Sequence, residues 1–104
     1  MDMKKMMKQA QKMQRDAAAA QEEVAQMEFS ASAGGGMVNA TVMGDMSVKA
    51  IKIDPDAVDP EDVEMLEDMI VAAINEAMRE ASETANARLS GIMGGMGGGI
   101  PGLF

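Results

Sequence analysis

Five cations crowd the first 15 residues: Lys4, Lys5, Lys8, Lys12 and Arg15, set against the single acid Asp2. On a helix, Lys5, Lys8, Lys12 and Arg15 share one face and form a stripe roughly 15 Å long at 1.5 Å rise per residue. Such a stripe suits phosphate contact, which is electrostatic and indifferent to base sequence. No aromatic lies among the lysines, so stacking on single-stranded bases has no support, and the backbone of a duplex is the better target. The plain alternative is a solvated polar face. Segregation argues against it, because a mixed face would interleave Glu, and cations at a helix N-terminus oppose the helix dipole. The whole chain carries a net charge of −8. Residues 1–15 hold +4 of it, which leaves −12 on the other 89: a basic arm on an acidic body.

Other chemistry is poorly served. The chain has no Cys and no His. That removes thiol nucleophiles, disulfides, thiolate metal sites, the commonest general base and the commonest zinc-type ligand. Eight carboxylates between Asp54 and Asp68 read as a capped, solvated helix start rather than a metal site, since two prolines interrupt the spacing that a calcium loop needs. Gly34-Gly35-Gly36 lacks the Lys-Ser/Thr of a phosphate loop and reads as a hairpin turn. We expect no enzyme activity, no cofactor, no metal and no small-molecule substrate. The longest apolar run, Met69 to Ile74, is far short of the ~20 residues of a membrane span, and no apolar stretch follows the first lysines as a secretory signal would require. No membrane partner and a cytoplasmic location are the expectations.

The elements that must carry these residues follow from periodicity. Residues 2–28 are rich in Ala, Met, Gln, Lys and Glu with no Gly or Pro, and predict one long helix. Met3, Met6, Ala10, Met13, Ala17, Ala20, Val24 and Met27 recur at spacings of three and four, an a/d seam opposite the basic stripe. The seam is narrow and predicts close helix–helix packing. Alternation then predicts strands at Phe29–Ala33, Val38–Met43 and Met46–Ile53, joined by the Gly triplet and by a tight turn at Gly44-Asp45. Within the third strand the pattern shifts register, as a bulge or burial on both faces would produce. Asp59-Pro60-Glu61-Asp62 predicts a helix start, with Asp59 as N-cap. Val63, Leu66, Met69, Ile70, Ala73, Ile74, Ala77 and Ala81 then give a stripe wide enough to cover a sheet, with the helix ending near Leu89. The fold class is α+β: an α-β-β-β-α protomer with a three-stranded antiparallel meander between two helices. Residues 1–90 form one domain, and the Gly/Met-rich stretch 91–104 reads as a flexible tail. A core of Met and Ala specifies packing weakly in so small a domain, and a partner subunit is the common remedy.

Several local strings, in this order, resemble the YbaB/EbfC family of bacterial nucleoid-associated proteins: KKMMKQAQKMQ at 4–14, GGGMVNATVMG at 34–44, VKAIKIDP at 48–55, DPEDVEMLEDMIVAAINEA at 59–77, and a Gly-rich end closing with PGLF. The resemblance implies an intimate homodimer with projecting N-terminal helices, binding duplex DNA in the nucleoid with little sequence demand. It makes Lys4, Lys5, Lys8, Lys12 and Arg15 the DNA-binding candidates, assisted by Lys49 and Lys52 of the third strand. Family members usually carry Lys after the Met-Val and a basic or neutral residue after the hairpin Gly. Here Asn39 and Asp45 stand there, which withdraws support for phosphate contacts from the second strand and its turn. The expected function is duplex DNA binding, with effects on nucleoid organisation and gene expression. The alternative is a dimeric interaction protein that binds another protein through helix 1 or the tail.

Overall fold

The Ala, Met, Gln and Lys run folds as predicted, with slightly tighter bounds. In a computed structural model that describes residues 2–97, helix α1 spans Met3–Ala25. Asp2 caps it, its carboxylate accepting from the Lys4 amide at 3.0 Å, so one acid offsets part of the dipole's conflict with the lysines. Three strands follow, β1 (Glu28–Ala33), β2 (Val38–Met43) and β3 (Val48–Ile53), as an antiparallel meander in the order β1-β2-β3.

The alternation expected from sequence decides the faces. Val38, Ala40 and Val42 of β2 and Phe29 of β1 turn one way and are buried, whereas Ser30, Ser32 and Asn39 turn the other way and are exposed. The register break in β3 is a bulge. Ala50 faces Thr41 and Val48 faces Val42, so Lys49 is the extra residue. Gly34, Gly35 and Gly36 turn the first hairpin at φ +62°, +67° and +91°, a conformation open to Gly.

The second turn departs from expectation. Its positive φ belongs to Met46, at +70°, not to Gly44. Gly44 is there for space: a Cβ at this position would lie 1.7 Å from the Val24 carbonyl oxygen, and the Gly44 amide donates to Met27 O at 3.0 Å. Beside it, Asp45 accepts from both the amide and the hydroxyl of Ser47, which holds its carboxyl below the usual range.

The second long helix, α2 (Val63–Gly97), starts later and ends later than its sequence pattern suggests. Pro55–Ala57 form a 3-10 turn, Asp59 closes a tight turn onto Glu61 and Asp62, and Asp62 is the cap, its carboxylate accepting from Met65 N at 3.2 Å. The Asp-Pro-Glu-Asp string thus makes the approach to the helix, and its last acid does the capping. At the other end the helix continues through Gly91 to Gly97, so the boundary expected at residue 90 falls inside α2. The last part of the expected tail, 98–104, lies outside the described residues.

α2 lies against β1 and β2. Its buried residues are Ala73, Ala77 and Ala81, one per turn, whose small side chains let the helix sit close to the sheet. One core cluster joins Ala77 and Ala81 to Val24, Phe29 and Val42; the other joins Ala73 to Val38 and Ala40, with Leu66, Met69, Ile70 and Ile74 packed around it. Val63, which was expected within that stripe, is 52% exposed. The lower half of the α1 seam also has a partner in its own chain. Ala17, Ala20 and Val24 line a crevice of about 230 Å³ with Ala85 and Leu89, and Glu23 binds Arg88 at 2.8 Å. These contacts run in opposite order along the two helices, which are therefore antiparallel. The molecule is long, 70 × 27 × 16 Å.

Candidate nucleic-acid interface

The first ten residues of α1 are exposed. Every residue from Asp2 to Lys12 is exposed, and Met13 is the first that is half-buried. The helix is anchored lower down, by Val24 in the core, by Gly44 beneath its last turn and by the Glu23–Arg88 bond. The anchored end therefore carries an exposed arm about 15 Å long.

The arm brings its cations together. Lys5, Lys8 and Lys12 line one shallow groove with Met6 and Gln9, Arg15 continues the same face one turn on, and Lys4 flanks it. Among the described residues no carboxylate forms an ion pair with any of these five. The stripe is bounded below, because the next charges along α1 are Asp16, Glu22 and Glu23. Unpaired ammonium and guanidinium groups on an exposed helix face keep their full charge for an external anion. Lys supplies point charges here and Arg15 a planar fork.

Lys49 and Lys52 sit elsewhere, on the edge strand β3. Lys49 reaches across β2 to the carboxylate of Glu28 on β1, so its charge is already met. Lys52 pairs in register with Asn39 and faces away from α2. Asn39 itself is tied to the first hairpin, donating to Gly36 O at 3.0 Å. Ser30 and Thr41 hydroxyls bond at 3.0 Å on the same open face. That face is polar, close to neutral and largely self-satisfied. Sequence reasoning missed the groups that aim the arm. Glu23 and Arg88 lie 65 residues apart and no local pattern joins them, and Gly44 reads as a turn residue until its neighbour is known.

Among the described residues no cluster of acids could hold a metal ion, and no helix is long and apolar enough to cross a membrane.

Comparison with known proteins gives this geometry a context. A nucleoid-associated protein of Acetivibrio thermocellus is 54% identical over 95% of this chain and 87% of its own length. One from Rhodococcus erythropolis is 51% identical over 98% of this chain and 91% of its own length. The fold matches the crystal structure of the uncharacterized protein HP0035 from Helicobacter pylori with a TM-score of 0.75, covering 90% of this chain and 99% of that one at 20% identity. The model of the YbaB/EbfC DNA-binding family matches residues 1–96, and the chain belongs to that family.

Proposed function

We propose that this protein is a non-enzymatic homodimer that binds duplex DNA in the cytoplasmic nucleoid, through phosphate contacts from the α1 arm and with little sequence preference. The observation that carries the reading is the set of five exposed cations on one projecting helix, none paired within the chain among the described residues. The names of the relatives support the nucleoid as the setting. An acidic body does not forbid the contact, because charges farther than ~8 Å are largely screened at physiological salt. Lys52 assists at most weakly, and Lys49 less, since it binds Glu28. Nucleoid organisation and gene expression would change as a consequence of broad DNA coverage.

The homodimer is supported by what the protomer leaves open. Among the described residues only eight apolar ones are buried, four of them Ala. Val48 and Ile53 on β3, Val58, and Val63, Met65 and Val71 on α2 remain more than a third exposed. A small core beside such surface calls for a second copy. Sedimentation equilibrium at low micromolar concentration should give about twice 10.9 kDa; a folded monomer there would overturn the dimer.

A gel-shift titration on random-sequence duplex at two salt concentrations tests the binding. Similar affinity for unrelated sequences and a steep loss with salt are expected. Binding that is absent, or indifferent to salt, contradicts the reading.

A further inference from the structure

The arm has two faces, and phosphate contact uses one of them. The other face is apolar and open. Met3, Met6 and Met7 are 74%, 51% and 59% exposed, and Ala10 is exposed beside them. This face is the upper part of the a/d seam whose lower part, Ala17, Ala20 and Val24, already packs against α2. The charge pattern says what fits on it. With Met3, Met6, Ala10 and Met13 at a and d, the flanking e and g positions within the arm are Met7, Gln9 and Gln14. Every base lies at b, c or f. Two such helices laid seam to seam would bring no cation near another, which removes the repulsion that a strongly basic helix otherwise meets on pairing.

We propose that the arms of two DNA-bound copies pair through this methionine seam and thereby bridge two duplexes. The inference rests on the DNA-binding reading above. Because stripe and seam lie on opposite sides of the helix, a paired set of arms presents its two basic stripes outward, facing away from each other. Each stripe then holds a different duplex. The seam spans about three turns, too short to hold free chains together. Copies lined up on DNA raise one another's effective concentration, so pairing sets in as coverage rises.

Two experiments on the full-length chain test this. In the first, bead-tethered duplex captures a second, labelled duplex in the presence of the protein. The Met3→Gln, Met7→Gln variant, which spares Met6 because it lines the basic groove, keeps helix propensity and all charge. It should shift single duplexes within about twofold of the parent, yet lose capture at least tenfold. In the second, use is made of the chain's lack of cysteine. A Met6→Cys chain, treated with a short bismaleimide, should cross-link between copies when DNA is present and much less without it. A Lys8→Cys chain should cross-link poorly in both cases. Capture that survives the methionine variant, or equal cross-linking from positions 6 and 8, overturns the seam contact and assigns bridging to another surface. A parent that shifts DNA but captures no second duplex overturns bridging while leaving the DNA-binding reading intact. A parent that shifts no DNA removes that reading as well.

Discussion

The two halves of α1 are built from similar residues and behave differently. From Met3 to Lys12 the helix is exposed, with cations on one side and methionines on the other. From Ala17 to Val24 the same seam turns to Ala and Val and is held by α2 and by the second hairpin turn. Small residues let backbones approach closely, and Val24 reaches the core that Phe29 and Val42 share. The upper half buries no residue among those described, so its stability depends mainly on helix propensity, the Asp2 cap and continuity with the anchored half. The contrast teaches a division of labour. One half supplies position, the other supplies charge, and changes in each should have separable effects.

The largest separation is expected from Lys5→Gln, Lys8→Gln, Lys12→Gln, Arg15→Gln. Affinity for random duplex should fall about a thousandfold at physiological salt. Unfolding free energy should move by no more than about 0.5 kcal/mol, as for exposed positions generally. Urea titration and gel shift on the same preparation check both. The reverse is expected of Gly44→Ala. Its Cβ would meet the Val24 carbonyl oxygen, a backbone atom that cannot swing aside, so stability should drop by roughly 3 kcal/mol. DNA affinity measured below the melting point should change little. If the Gly44 variant loses affinity while folded, aim of the arm matters more than its charge.

How far the sequence foretold this molecule depends on how local each cause is. The element order was legible because period changes are local: three-and-four spacing in α1 and α2, alternation in the strands. The basic stripe was legible for the same reason. Its freedom from internal partners was not, because pairing depends on where carboxylates 20 or more residues away fold, as Lys49 and Glu28 show at a separation of 21. The reach of α2 to Gly97 was hidden by its glycines, each of which costs about 1 kcal/mol relative to Ala in a helix. The start of α2 lies three residues later than its pattern predicts because Asp59 and Asp62 can each cap, and only the fold selects Asp62.

Smaller effects sharpen the contrast between arm and sheet. Lys49→Gln with Lys52→Gln should weaken DNA binding less than about tenfold, since two lysines per protomer offer fewer contacts than the arm and Glu28 already holds one of them. A loss as large as that of the arm variant would move the interface to the sheet. The smallest effect is at the second turn. Met46 holds φ +70°, which Asn tolerates better than Met, so Met46→Asn should raise stability by about 0.5–1 kcal/mol in urea denaturation without altering DNA affinity.

The salt dependence of DNA binding, compared between the parent and the four-residue arm variant, tests the central claim most directly. Lys5, Lys8, Lys12 and Arg15 of two protomers offer up to eight phosphate contacts, each contributing about −0.9 to the slope of log K against log salt. Geometry will forbid some of them, so the parent should show a slope of roughly −4 to −7, and the variant a much flatter one. Equal slopes in the two proteins would mean that the arm does not hold the phosphates, and would contradict the account.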